Sequence, residues 1–289
     1  MGYQAYPEYK ESRVEWLDQV PSHWNVERLR FSIQTNPTKS EIKHLSENLP
    51  VSFVPMEAVG ELGGLCLDTE KEISEVSNGY SYFADGDVLI AKITPCFENG
   101  KGAIAKDLIN GVGFGTTELH VLRSEKFLNR SYLFYLSISH PFRDIGASQM
   151  LGAGGQKRVT DEFIRDFRTG LPSLPEQETI AEFLDHKTAQ IDSLIEKKQE
   201  LVEKLQEQRI TVITRAVTKG LNSGVTLKDS GVEWLGDLPA HWDIWRLRFS
   251  VTMSGGMTPS TTAPQYWEGP IPWVTPKDMK SDRITSSID

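Results

Sequence analysis

Residues 175–219 form a stretch of 45 residues with no internal proline or glycine, and no other feature limits the fold as much. Within it Ile180, Leu184, Ile191, Leu194, Ile195, Leu201, Val202, Leu205, Val212 and Ile213 keep three- and four-residue spacings, which puts one apolar stripe on one helix face. Pro175 suits a first helical position, where the missing N–H costs nothing, and Glu176 and Glu178 lie near the positive end of the helix dipole. Arg215 and Lys219 lie near the negative end, and Gly220 follows as a stop. At about 1.5 Å per residue such a helix runs roughly 68 Å, longer than a small domain is wide. It predicts a coiled-coil-type strut whose stripe takes a partner helix, the alternative being a long core helix inside one globule.

The segment that opens the chain returns just after this helix. Residues 12–32, SRVEWLDQVPSHWNVERLRFS, align without gaps on residues 230–250, SGVEWLGDLPAHWDIWRLRFS, and thirteen of the 21 positions are identical. A period of this length exceeds that of a solenoid repeat and implies duplication of a unit built from one globular domain plus one long helix. Residues 230–289 are then the opening of a second unit.

The length, 289 residues, suits about two domains of ordinary soluble composition. The first residues lack the apolar run of a signal peptide, and no run of 18 apolar residues occurs, so a membrane protein is not expected. Cys66 and Cys96 are too few for a disulfide framework, which points to a reducing cytoplasm, and both are expected to be buried thiols. A net charge of −9 argues against a protein that coats nucleic acid unaided, so a DNA reader of this composition needs a second subunit for part of its electrostatic grip. Nine acidic residues in the long helix slightly outnumber its seven Lys and Arg and mark a solvated or partner-facing surface.

In the first unit, residues 1–11 read as a polar leader, and Trp16 and Trp24 bracket a Pro-Ser turn as a clasp packed on the domain. From Leu49 onward short apolar or alternating runs, broken by Gly, Asp and Pro, predict strands in LPVSFVPMEAV, YSYFADGDVLIAKITPCF and VGFGTTELHVLRS. LNRSYLFYLSIS (residues 128–139) predicts a helix that ends before His140-Pro141. The fold class is therefore α+β, a mixed domain followed by the long helix and the start of a duplicate. GDVLIAKITPCFENGKGAI (86–104) sets Lys92, Thr94, Asn99 and Lys101 around a loop that a plain hairpin tip would equally explain. GAGGQKRV (152–159) ends a glycine loop in Gln156, Lys157 and Arg158, which could meet a phosphate or a base edge, or be an exposed turn. It lacks the Walker spacing, because Arg158 stands where Ser or Thr would follow the lysine.

TGLPSLPEQETIAEFLDHKTAQIDSLI (169–195), taken with GDVLIAKITPCFENGKGAI, GTTELHVLRS, GAGGQKRV and GGMTPSTTAPQYWEGPIPWVTPKDM (255–279), resembles the specificity subunit of type I DNA restriction–modification systems. The resemblance spans essentially the whole chain in the expected order. It implies two target-recognition domains, each followed by a long helix, with the two helices antiparallel and each domain reading one half of a bipartite double-stranded DNA site. It divides this chain into a first recognition domain (1–172), a spacer helix (173–220) and the N-terminal part of a second recognition domain (221–289). It further implies that the helices dock methyltransferase subunits that bind S-adenosylmethionine, that restriction subunits use ATP and magnesium, and that this chain holds no cofactor or metal and is not catalytic. The residues agree: Asn36-Pro37 is followed by Thr38 rather than by a methyltransferase motif, no P-loop is present, and no pair among the six histidines has zinc spacing.

The positions that the resemblance turns toward DNA are Lys92, Thr94, Lys101, Thr116 and Thr117 in the strand-rich part and Gln156, Lys157 and Arg158 before the helix. In the second unit they are Thr258, Ser260, Tyr266 and Lys277. YWEGPIPWVTPKDM matches VSFVPMEAV only loosely, so two different half-sites are expected. The family pattern would add the rest of a second domain and a second helix after Asp289, so a cut-short chain or a half-subunit that pairs with itself through Ile180, Leu184, Ile191, Leu194, Ile195, Leu201, Val202 and Leu205 is expected. Such a homodimer would read a palindrome of the first half-site. The opening of the second domain is expected to be poorly ordered or wrongly packed, with Trp234, Trp242 and Trp245 clasping locally. A scaffold that tethers protein partners through the strut without reading DNA is the competing reading.

Overall fold

The structure is a computed structural model and describes residues 5–258, 260, 262, 264–266 and 274–279. The chain divides into two units, Met1–Gln199 and Glu200–Asp289, and the division falls inside the long helix.

The first unit opens with strands β1 (Tyr9–Glu11), β2 (Gln19–Pro21), β3 (Asn25–Arg28) and β4 (Ile33–Thr35), followed by β5 (Pro50–Val54), β6 (Glu70–Glu72) and one helical turn, α1 (Ile73–Val76). Next come β7 (Ser81–Ala84), β8 (Val88–Ala91), β9 (Gly102–Ile104), β10 (Val112–Gly115) and β11 (Leu119–Ser124). Helices α2 (Arg130–Ile138) and α3 (His140–Ser148) lead to β12 (Leu151–Ala153), β13 (Gln156–Arg158), α4 (Asp161–Asp166), β14 (Arg168–Leu171) and the long helix α5 (Leu174–Lys219). Two four-stranded sheets carry the unit, β6-β5-β10-β7 and β4-β11-β8-β9, and the one parallel pair in them is β5 with β10.

β8 explains why its sequence reads as an unbroken apolar run. Successive side chains of a strand point to opposite faces, and both faces of this strand are covered. Val88 and Ile90 join a core with Phe142, Phe163 and Ile164 of the helices, while Leu89 and Ala91 join one with Val54 and Phe83 of the other sheet. Within that other sheet the Phe83 ring lies over its cross-strand neighbour on β10, which is glycine: a Cβ on Gly113 would lie 2.2 Å from the ring. A third core, with Val51, Tyr82 and Phe114, fills the outer face of the first sheet. Arg123 ties the layers together by donating to both carboxylate oxygens of Asp87 at 2.7 Å and to Glu41 at 2.6 Å.

The α+β class, the strand segments and the long helix stand where the sequence puts them, and several details are corrected. The polar leader ends in a strand the sequence did not mark, its last residues forming β1 against β2. Helix α2 ends at Ile138, before His140-Pro141 as expected, but a second helix that the sequence did not predict follows at once. Ser139 is extended, and Pro141, which needs no N–H partner in a first turn, starts α3 instead. Cys66 is exposed and Cys96 half-buried, against the expected pair of buried thiols. Leu65 and Leu67 pack inward on the inter-sheet core, so alternation turns Cys66 outward, where its thiol donates to Asp68 at 2.8 Å.

Helix α5 is rooted by Gln177, whose amide accepts from the Asn129 N–H at 2.8 Å and donates to the carbonyls of Phe127 and Pro172. Ile180 and Leu184 are half-buried, whereas Ile191, Leu194, Ile195, Leu201, Val202 and Leu205 are exposed. Among the described residues no helix is long and apolar enough to cross a membrane.

The second unit contains a hairpin of β15 (Leu227–Asp229) and β16 (Asp237–Pro239) and a few single helical turns. Trp242 is half-buried against Gly220, whereas Trp234 and Trp245 are exposed, so of the three expected clasp residues only Trp242 packs. The packing expected of residues 259, 261, 263, 267–273 and 280–289 lies outside the described residues.

Candidate nucleic-acid interface

The glycine loop of the first unit is a tight hairpin. β12 pairs with β13 in the register Leu151–Arg158, Gly152–Lys157 and Ala153–Gln156, and Gly154 and Gly155 take φ of +64° and +78° between them. Two successive positive φ values define the turn that matches strand twist, so the glycines serve the turn and present Gln156 and Lys157, both exposed. The hairpin is laced to residues 92–94. The Thr94 N–H donates to the Lys157 carbonyl, the Val159 N–H donates to the Lys92 carbonyl, both at 2.9 Å, and Ile93 bridges Arg158.

A third segment meets these two. The Lys92 N–H donates to the Glu118 carbonyl at 2.9 Å, and Arg158 grips the Glu118 carboxylate with two bonds of 2.8 and 2.9 Å. Those bonds hold Glu118 below the usual carboxylate range against its partial burial, with the charge of Lys92 adding to the effect. The Thr116 hydroxyl accepts from the Glu118 N–H at 3.2 Å, and Thr117 beside it is exposed. His120, on β11, is buried and lies 3.0 Å from the Val159 carbonyl through Nε2. Burial pushes its imidazole pKa down, so the ring is neutral and Nε2–H is the donor.

Seven of the eight first-unit candidates therefore converge: Lys92, Thr94, Thr116, Thr117, Gln156, Lys157 and Arg158. Two of them are committed elsewhere, Arg158 to Glu118 and the Thr94 hydroxyl to Glu98 at 2.9 Å. Lys101 stands apart from the hairpin, because its ammonium donates to the Met56 carbonyl at 3.1 Å and its backbone bridges Glu61. A cleft of about 320 Å³ adjoins the cluster, lined by Lys92, Thr117 and His120 together with Lys39 and Tyr80. Lys39 and Glu118 were not marked by the sequence, since their partners lie far away in the chain, the Ser77 carbonyl for the first and Arg158 for the second. In the second unit, Thr258, Ser260, Tyr266 and Lys277 are exposed, the last two within single helical turns, and the Ser260 hydroxyl lies 2.8 Å from that of Thr262.

The arrangement offers cations, an amide and hydroxyls on a backbone-braced surface, the groups that meet phosphates and base edges. No group of three or more His, Cys, Asp or Glu side chains among the described residues could hold a metal ion. The chain is 40% identical over 176 residues to the EcoAI type I restriction enzyme specificity subunit of Escherichia coli, covering 60% of this chain and 29% of that protein. It is 41% identical over 165 residues to the EcoEI specificity subunit of the same organism, covering 56% and 27%. The chain thus spans less than a third of the curated relatives it matches. Its fold is similar to that of the HsdS subunit from Thermoanaerobacter tengcongensis, with a TM-score of 0.53, 18% identity and coverage of 74% of this chain and 52% of that one. A chain in a structure of type I R-M complex assembly and conformational transition gives a TM-score of 0.52 at 20% identity, covering 70% and 47%. The family model of the type I restriction modification DNA specificity domain matches residues 31–204, and the chain belongs to that family.

Proposed function

We propose that the first unit reads one half of a bipartite double-stranded DNA site, and that the chain acts as the non-catalytic specificity component of a type I restriction–modification complex. The observation that carries this reading is the β12–β13 hairpin, which projects Gln156 and Lys157 while its backbone is braced on residues 92–94, beside Lys92 and Thr117. A braced hairpin holds donors at fixed spacing, as base readout requires. The second unit, through Thr258, Ser260, Tyr266 and Lys277, serves the other half. The exposed stripe of α5 is the seam for a partner helix, from a second copy or from the methyltransferase subunits. Those subunits and the restriction subunits supply S-adenosylmethionine, ATP and magnesium in the cytoplasm.

Binding of DNA by the assembled complex as a function of salt tests the reading. Lys157→Ala should lower the salt slope by about 0.9, the share of one phosphate contact, whereas adding Arg158→Ala should change it little, because Glu118 already neutralises that cation. An unchanged affinity and slope in a folded Lys157→Ala complex would show the hairpin to be a surface turn.

A further inference from the structure

Beneath the interface lies a cation that the hairpin and its neighbours do not explain. Arg143, on α3, is only 6% exposed. Its Nη1 donates to the Phe97 carbonyl at 2.6 Å, and its guanidinium carbon lies 4.7 Å from the centre of the Phe97 ring. Nε and Nη2 are buried without a hydrogen-bond partner. No carboxylate among the described residues makes an ion pair with Arg143. Burial pushes its guanidinium pKa down to about 10, an effect that the charge of Glu98 only partly opposes.

For stability alone this is a poor choice of residue. A buried guanidinium with two unfilled donors and no counter-ion costs folding free energy, and a methionine would fill similar space without that cost. What the arginine supplies is a tie. The carbonyl it holds belongs to the turn of residues 94–101, which is closed by Phe97 N–H to Ile93, Asn99 N–H to Pro95 and Gly100 N–H to Phe97. Gly146 of α3 leaves room for the Phe97 ring, since a Cβ there would lie 2.5 Å from it. The same turn begins at Thr94, whose N–H holds the carbonyl of Lys157.

We infer that Arg143 is a positioning residue for DNA readout: it locks the turn of residues 94–101, and through Thr94 the backbone under Lys157, in the register from which Lys92, Gln156 and Lys157 meet the duplex. The inference rests on the DNA-reading function proposed above. Lysine cannot replace the arginine, because one compact ammonium cannot both lie over the Phe97 ring and reach its carbonyl as the broad guanidinium does.

The test is selection from a pool of randomised duplexes by the full chain assembled with the methyltransferase subunit of its own system. The wild-type complex should enrich one motif. Arg143→Met and Arg143→Lys should each reduce that enrichment about tenfold, the size of one well-aligned base contact. Retention of unselected DNA at low salt should persist, because the surface cations remain. Amide exchange should quicken at Asn99 and Lys101, and the melting temperature of Arg143→Met should not fall. Wild-type enrichment by both variants would overturn the assignment. Should Arg143→Met not fold, Arg143→Lys decides alone, its full enrichment counting against the assignment and its reduced enrichment for it. A wild-type complex that enriches nothing would overturn the functional reading, and this inference with it.

Discussion

The clasp at the start of the chain and its copy 218 residues later are built alike and packed differently. In both, a three-residue strand pair closes in one register, Tyr9 opposite Pro21 and Leu227 opposite Pro239. In both, a serine hydroxyl accepts from the N–H two residues on, at 3.0 Å for Ser12 and 3.1 Å for Ser230. The tryptophan N–H that follows donates to the proline carbonyl at 2.9 Å in each, for Trp24 and for Trp242. The side chains then part company. Trp16 stacks on Phe167 at 5.1 Å and Leu29 is 0% exposed in the core, whereas Trp234 is 84% and Leu247 70% exposed. The backbone of the clasp is thus specified by its own turn chemistry, and the burial of its apolar residues by what the rest of each unit brings to it.

The largest expected difference follows from that burial. Leu29→Ala should destabilise the first unit by about 3 kcal/mol, the cost of a cavity in a packed core. Leu247→Ala should change stability by less than about 0.5 kcal/mol, as exposed substitutions do. Urea unfolding of the full chain, followed by circular dichroism, measures both. Equal losses would break the comparison, because the two leucines would then be equally packed.

A second difference is electrostatic. The first clasp is pinned to the root of α5 by Glu176, which accepts from Tyr6, from Trp24 Nε1 at 3.1 Å and lies 3.0 Å from His23 Nε2. Burial alone would raise the Glu176 pKa, but these hydrogen bonds outweigh it and hold the carboxyl below its ordinary value of 4.5, while Tyr6 is pushed up to about 12. A depressed folded value means stabilisation that is present above the ordinary value of 4.5 and is lost as the pH falls below it and through the folded value. The second clasp meets the other end of the helix through Lys219 Nζ and the Asp237 carbonyl, with no carboxylate in that bond. Glu176→Gln should therefore cost about 1.5 kcal/mol at pH 7 and progressively less as the pH falls below 4.5 and through the folded value, a charged acceptor having been replaced by a weaker one. Hydrogen exchange at Lys10 and Lys228 against pH checks it: protection should fall with acid in the first hairpin and persist in the second.

What the sequence made legible was whatever is encoded locally. The helical stripe and the strand runs are periodic, and the repeat rests on identical residues, so all three could be read. Helix α3 was hidden because Pro141 reads as a stop, although the same proline is well suited to a start once Ser139 is extended. Of the candidate contact residues, those on the hairpin and on residues 92–94 did come together, but Lys101 turned to the Met56 carbonyl and Arg158 to Glu118. Those partners lie 45 and 40 residues away, and no local pattern marks them. Arg143 was invisible for the same reason, its partner carbonyl lying 46 residues earlier.

The smallest expected effect is where the two clasps should agree. Two residues after Ser12 and after Ser230 stands a valine whose N–H donates to the serine hydroxyl, and that hydroxyl in turn lies within hydrogen-bond reach of the valine carbonyl, at 3.3 Å for Ser12 and 3.1 Å for Ser230. Neither bond involves any other part of its unit. If the clasp backbone is set by local chemistry, Ser12→Ala and Ser230→Ala should each raise the opening of their own hairpin by about 0.5–1 kcal/mol, the net worth of one such bond, and leave the other hairpin untouched. Amide exchange at Val14 and Val232 reads the two openings separately. A loss confined to Ser12→Ala would show that even the backbone of the clasp depends on the packed body of the first unit, and the comparison would then be one of two structures rather than of one structure in two settings.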